Sequence, residues 1–287
     1  MAALRLHNLF TLFAIRRHGA AVALVAGGAS CGALAQVPAP LWEVGVAAAA
    51  LSQQAYPGAD EQARRGLALP YLIYRGRWLH ADRDGAGLRA VRTDGFELDL
   101  SLAASLGSGA RSLRAREGMA RLPTLVEAGP VARWFLNGRE ARDRITLELP
   151  LRGVVEARDP GRHRGMSFEP ELGLVRRGGA TGWGYGVSVA ALFGDRRLAS
   201  TFYGVAPDEA RPERPAYMAR DGRIAWRLSG SLSTQLTPEL RLFGVARLDS
   251  MAGAANHDSP LVRRTTGASL GLGLSYTLAR SAVGAGD

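Results

Sequence analysis

Gly267 to Leu278 reads GASLGLGLSYTL, and steps of two separate it into two unlike faces. Leu270, Leu272, Leu274, Tyr276 and Leu278 fall on one face, and Ser269, Gly271, Gly273, Ser275 and Thr277 on the other. Side chains of a β-strand alternate strictly between faces, whereas a helix would scatter these leucines around its axis. The stretch therefore predicts a strand of about ten residues with one apolar and one small polar face. Those are the dimensions of a strand that crosses an outer membrane in a tilted barrel.

The same device recurs along the chain. Trp42, Val44, Val46, Ala48 and Ala50 share a face, and a polar Pro-Gly loop follows from Ser52 to Glu61. Leu67 to Tyr74 is a further strand, and Arg77 to Asp82 and Leu88 to Thr93 flank a hairpin turn at Arg83-Asp84-Gly85. Phe96, Leu98, Leu100, Leu102, Ala104 and Leu106 oppose Glu97, Asp99, Ser101, Ala103 and Ser105. After a non-periodic stretch from Gly107 to Leu122, Val126, Ala128, Pro130, Ala132 and Trp134 align. A ladder irregularity is expected at Pro130, which has no N–H to donate. Asn137-Gly138 marks a tight turn, Ile145 to Val155 a strand, and Asp159-Pro160-Gly161 and Gly178-Gly179 further turns. Phe168, Pro170, Leu172 and Leu174 oppose Glu169 and Glu171. Trp183 to Phe193 alternates with glycine and serine, and Leu198 to Val205 continues as a strand. Ala206 to Ala219 reads as a loop over one mouth. Ile224, Trp226, Leu228, Leu232 and Leu236 then form a face, followed by Leu240, Leu242, Ala246 and Leu248. An even strand number is required of a single-chain bacterial barrel, so these runs predict twelve strands in preference to ten. In this all-β, closed antiparallel transmembrane barrel, Gly267–Leu278 is the last strand and pairs with Leu41–Leu51 to remove both edges.

The first residues differ. Arg5, Arg16 and Arg17 precede an apolar run from Gly19 to Ser30, and Ala33-Leu34-Ala35 fits a small-residue cleavage site. Residues 1–35 read as a secretory signal peptide, 36–278 as the barrel and 279–287 as a tail. Cys31 is the one cysteine, so the chain after Ala35 holds neither a disulfide nor a cysteine metal site. No later apolar run approaches the roughly 18 residues of a membrane helix.

The formal charge is +10. Its basic residues are all arginine and are scattered rather than clustered, which argues against a nucleic-acid footprint. The predicted inward set is Glu97, Asp99, Glu148, Arg152, Glu156, Glu169, Glu171, Arg227, Arg241, Arg247 and Asp249. With both signs present, these side chains either pair and fill a narrow lumen or line a solute path. The pairing reading is preferred because the signs are mixed in similar number. Trp42, Trp78, Trp134, Trp183, Trp226, Tyr74, Tyr185 and Tyr276 suit interfacial girdles.

Catalytic chemistry is hard to assign. His80, His163 and His257 follow the leader, and His257-Asp258-Ser259 sets three hydrolase-type residues in a row. Consecutive loop residues point apart, so this reads as a turn rather than a triad. G-x-S-x-G, HExxH and P-loop patterns do not occur. No residue is assigned a catalytic, cofactor-binding or metal-ligating role.

Several loop and turn words, taken in order, resemble a known family. They are Tyr56-Pro57-Gly58-Ala59-Asp60-Glu61, Pro70 with Tyr74-Arg75, Gly129-Pro130 and Leu149-Pro150-Leu151-Arg152. Phe202-Tyr203-Gly204-Val205, Pro215-Ala216-Tyr217 with Gly222, and Asp258-Ser259-Pro260-Leu261-Val262 follow. The set resembles the MipA/OmpV type of MltA-interacting outer-membrane proteins, over about residues 42 to 278. Ala59 stands where the family favours serine, and the chain runs past Leu278 to Asp287. The resemblance implies a non-enzymatic barrel, in contact with outer-membrane lipid. It would act as a scaffold between a periplasmic lytic transglycosylase and a bifunctional penicillin-binding protein. The alternatives are a small passive, porin-like channel and, ranked last, an outer-membrane hydrolase.

Overall fold

The computed structural model describes residues 40–76, 79–82, 85–105, 113–176 and 182–284. The expected signal peptide at residues 1–35, Trp78 and the turns expected at Arg83-Asp84 and Gly178-Gly179 lie outside these. The first strands are β1 (Trp42–Gln54), β2 (Gln62–Arg75), β3 (Leu79–Asp82), β4 (Gly85–Arg92) and β5 (Phe96–Ser105). Next come β6 (Leu125–Phe135), β7 (Asp143–Glu156), β8 (Asp159–Phe168), β9 (Glu171–Arg176) and β10 (Trp183–Gly194). A helix, α1 (Arg196–Tyr203), precedes β11 (Gly222–Gln235), β12 (Leu240–Ser250) and β13 (Thr266–Arg280).

All the described strands belong to one antiparallel sheet, and its ladders return to their start. β1 pairs with β2 on one side and with β13 on the other, Ala48 lying opposite both Ala68 and Leu274. β8 and β9 are two halves of one broken strand. Both pair with β7 and both with β10, so the thirteen strands occupy twelve positions in the series. The break falls at Glu169-Pro170, where a proline cannot donate to a ladder. No bulge forms at Pro130: Gly129 and Pro130 have no assigned β6–β7 partners, but Ala128↔Gly153 and Val131↔Pro150 keep one register, and Pro130 stays in register opposite Leu100 of β5.

Alternation decides which side each residue takes. Leu270 and Leu272 are 61% exposed on the outer face, whereas Ser269 and Ser275, one position out of phase, are buried. The same holds on β5, where Leu100 and Leu102 are exposed and Glu97, Asp99 and Ser101 are buried. The sheet is therefore inverted relative to a water-soluble sandwich: large apolar side chains look outward and charged ones inward.

Four local expectations are corrected. Leu198 to Val205 is not a strand. Asp195 accepts from the Leu198 N–H at 2.8 Å and caps α1, whose buried Leu198, Ala199, Phe202 and Tyr203 recur at helical spacing. The reversal assigned to Asp159-Pro160-Gly161 occurs earlier, at Ala157-Arg158, because Asp159 already pairs with Glu156. Ile224 does not share the outer face of Trp226. The register shift between Leu192 and Phe193, opposite Ala225 and Arg223, skips it, and its side chain is buried. The inner face is also not wholly polar: Leu51, Tyr71, Ile73, Phe243 and Val245 pack together on β1, β2 and β12.

The loops divide the two ends. At one end lie the long connections 55–61, 113–124, 195–221 and 251–265. At the other lie short turns such as 93–95 and 236–239, together with both ends of the described chain. There the ladder continues past β13, since Leu41 N–H donates to the Val283 carbonyl at 3.0 Å.

Close approach fixes Gly129 on β6, where an added Cβ would fall against the Leu151 carbonyl oxygen and the Arg152 backbone. Gly129→Val is expected to lower stability by about 1–3 kcal/mol through overpacking. Gly66→Ala, whose Cβ would meet open space, is expected to stay within about 0.5 kcal/mol. Urea unfolding followed by tryptophan fluorescence measures both.

Candidate functional site

Register builds the charged interior. Glu97 on β5, Arg133 on β6 and Glu148 on β7 stand directly opposite one another on consecutive strands. Directly opposed side chains on one face come within contact range, so opposite charges there pair. Arg133 Nε donates to Glu148 at 2.7 Å, and its Nη1 lies 3.3 Å from Glu97 and 3.6 Å from Asp99. Arg139, from the turn after β6, reaches the second Glu97 oxygen. A second cluster centres on Arg227, opposite Asp249 across β11 and β12. Arg227 Nε donates to Asp249 at 2.7 Å and its Nη1 to Glu169 at 2.8 Å. Glu169 sits in the break between β8 and β9, which supplies the third corner. Arg247 adds a contact to Asp249 at 3.4 Å. Arg227 is 5% exposed, Glu169 2% and Asp249 3%, so these charges are screened by each other rather than by water.

Of the predicted inward set, Glu97, Asp99, Arg152, Glu169, Arg227, Arg241, Arg247 and Asp249 are buried. Glu148, Glu156 and Glu171 are half-buried. Arg152 donates to Ser101 at 3.3 Å and Arg241 to Gln235 at 2.9 Å. Glu156 is set apart from both clusters, pairing with Arg164 near the long-loop end. Arg133 was missed although it is the hub of the first cluster. Its signal was available, since it lies one residue out of phase with Trp134 on a strand whose outer face is plain.

Above this interior the long loops build a cap. Ala55, Tyr56, Ala59, Leu113, Leu122, Phe202, Tyr203, Met251 and Leu261 form one buried cluster with Ile224 and the α1 face. Backbone groups in the loops are satisfied by side chains of other loops. Tyr56 donates to the Leu261 carbonyl at 2.6 Å and Tyr203 to the Pro57 carbonyl at 3.0 Å. Arg116 donates to the Phe202 carbonyl at 2.9 Å, and Arg214 to the carbonyls of Glu117 at 2.9 Å and Glu209 at 2.6 Å. Gly58 has φ +94°, and its carbonyl accepts from Arg263 and Arg264. The landmark words around Tyr56, Tyr203, Tyr217 and Leu261, dispersed in sequence, thus converge on one structure. Sequence reasoning assigned Ala206 to Ala219 to a mouth loop but had no means of finding the cluster beneath it.

Among the described side chains, His163 and His257 lie in separate surroundings. His257 Nε2 lies 2.9 Å from Asp258 and its Nδ1 2.8 Å from the Ala254 carbonyl. Ser259 turns the other way and donates to the Tyr203 carbonyl at 2.8 Å. His163 lies 3.4 Å from Arg197. His80 is on β3, and its side chain lies outside the description. Among the described residues no group of three or more histidine, cysteine or carboxylate side chains could hold a metal.

Removing one member of a buried charge cluster leaves the others uncompensated. Arg227→Met alone is expected to cost about 3–5 kcal/mol. Combining it with Glu169→Gln and Asp249→Asn is expected to recover most of that loss in urea unfolding. The cap has its own pH signature. Burial pushes the Tyr56 hydroxyl from 10.0 up to about 12 and that of Tyr203 well above 10.0. These groups stay neutral in the folded protein, so their contribution is complete below pH 10.0 and is lost as pH rises through about 12. Phenolate absorbance against pH should show this late titration, and Tyr56→Phe should remove one late-titrating group.

The family model for MltA-interacting protein MipA matches residues 45–278. No curated protein sequence matches the chain. Among solved structures, the chain is similar to a FadL homologue of Pseudomonas aeruginosa at 14% identity and TM-score 0.36, over 83% of this chain and 68% of that one. It is similar to an outer-membrane channel from Pseudomonas putida F1 at 13% identity and TM-score 0.35, over 88% of this chain and 100% of that one. Likeness to OpdO of Pseudomonas aeruginosa is 11% identity and TM-score 0.27, over 83% and 96%. With its interior and its cap assembled from the stretch that the family model spans, the chain belongs to the MltA-interacting protein MipA family.

Proposed function

We propose that this protein is a closed outer-membrane β-barrel, exported by the signal peptide at residues 1–35, and that it is a non-enzymatic scaffold rather than a channel. Membrane embedding is supported by the inverted sheet. Exposed leucines and valines ring the outside, and no water-soluble core accounts for them. The loops suit that setting, with short turns and both ends of the described chain on the periplasmic side and long loops outside.

The observation that carries the scaffold reading is the filled interior. Arg133 and Arg227 are each held by two or more carboxylates, the facing wall is packed with Tyr71, Ile73, Phe243 and Val245, and a buried cap covers one mouth. A solute path needs unpaired polar groups along open water, and these residues are spent on each other. The family name points to the partner class, MltA, a lytic transglycosylase; a bifunctional penicillin-binding protein as the second member is what the family resemblance implies. The short turns and the ends of the described chain face the compartment where such enzymes work.

Reconstituted into planar bilayers, the protein is expected to give no stepwise conductance, and crosslinking in native envelopes is expected to capture a lytic transglycosylase. Sustained conductance steps without such capture would establish the passive-channel alternative instead. Leu272→Arg, on the outer face, is expected to lose about 2–4 kcal/mol if that residue meets lipid near mid-membrane. Urea unfolding in lipid vesicles measures it, and a neutral outcome would remove the membrane reading.

A further inference from the structure

The outer wall of β2, β1, β13, β12, β11 and β10 carries a groove of about 980 Å³, closed on the β10 side by Tyr185 and Val187. Register explains its shape. One rung of outward positions runs Arg64, Ser52, Leu270, Ala246, Gly230. The next runs Gly66, Ala50, Leu272, Gly244, Leu232. A Cβ on Gly66 or Gly230 would meet nothing within 4 Å, so the wall is recessed at both. The Leu270–Leu272 ridge divides the recess into two troughs, whose floors at Gly66 and Gly230 lie four strand spacings apart, roughly 20 Å at about 5 Å each.

The head of this groove is basic. Arg64 lines it at the long-loop end, exposed and without an ion pair among the described residues. Arg263 and Arg264 stand on the same rim, tied by their backbone N–H groups to Gly58 in the β1–β2 loop, and their side chains also lack ion pairs there. The acids nearest in sequence are taken, since Asp60 and Glu61 face Arg114. The outward positions of β1, β2 and β10 to β13 hold no carboxylate. A second copy packed on this face would bring arginine against arginine, so the occupant must carry its own negative charge.

We infer that this groove binds one molecule of lipid A, the multiply acylated, phosphorylated lipid of the leaflet at the long-loop end. Its acyl chains lie in the two troughs on either side of Leu270 and Leu272. Its phosphate is held by Arg64 with Arg263 and Arg264, because guanidinium groups match phosphate in both charge and geometry. The assignment rests on the membrane-barrel reading above.

Native mass spectrometry of the full chain in detergent tests it, with added diphosphoryl lipid A, its dephosphorylated form and phosphatidylglycerol as probes. The wild type is expected to retain one diphosphoryl lipid A. Retention should fall at least tenfold in the Arg64→Gln, Arg263→Gln, Arg264→Gln variant, and equally in Gly66→Leu with Gly230→Leu, which fills the troughs. Heat-modifiable gel mobility reports that each variant remains a folded barrel. Equal retention of dephosphorylated lipid A or of phosphatidylglycerol, wild-type retention by either variant, or a dimer in place of a lipid adduct would overturn the inference. Loss of heat-modifiable mobility or of vesicle insertion in the wild type would instead overturn the membrane reading itself.

Discussion

The ladder between the first and last strands is the constraint on which the rest depends. A sheet edge leaves a row of unpaired backbone donors and acceptors, and in a membrane those groups have no water to turn to. Here β1 meets β13 from Glu43↔Arg280 to Ser52↔Leu270, so neither strand is an edge. Because the strand period is two, that register also fixes every side chain's face. Moving it by one residue would turn Leu270 and Leu272 inward and drive Ser269 and Gly271 outward.

With the faces fixed, the interior has to satisfy what it encloses. It does so in two halves. On β5 to β8 and on β11 and β12, charges of opposite sign stand opposite or diagonal and hold each other at hydrogen-bond distance. On β1, β2 and β12 an apolar cluster faces inward, and the Tyr71 hydroxyl lies 2.7 Å from Thr277. A buried charge cluster adds little stability over well-packed hydrophobics, but it penalises wrong registers heavily, because a displaced arginine would be left buried without its carboxylate. The clusters around Arg133 and Arg227 thus favour the same pairing that the backbone ladders make.

The cap follows a different logic. Its loops hold few backbone-to-backbone ladders, so side chains such as Tyr56, Tyr203, Arg116 and Arg214 close the hydrogen-bond account between segments far apart in sequence. Family landmarks concentrate there because each needs a particular donor, or a small residue, at a particular place. Gly58 has a positive φ, which favours glycine, and Ala59 is 3% exposed, which favours a small side chain.

The amino-acid sequence by itself determined most of the strands and their faces, the twelve-position series and most of the inward charges, because alternation is local and a period of two is hard to disguise. It also determined the family, through ordered loop words. Only the tertiary structure decided which charges meet, since pairing depends on register between strands up to 58 residues apart, as for Arg227 and Glu169. It decided that Leu198 to Tyr203 is a helix: a short apolar run reads alike in either period until Asp195 caps it and the cap cluster buries one face. It also decided that the inward Phe243 and Val245 join Leu51, Tyr71 and Ile73 of β1 and β2 in one apolar patch, where polar residues were expected. Each depends on contacts between segments distant in the chain, and no local pattern encodes such contacts.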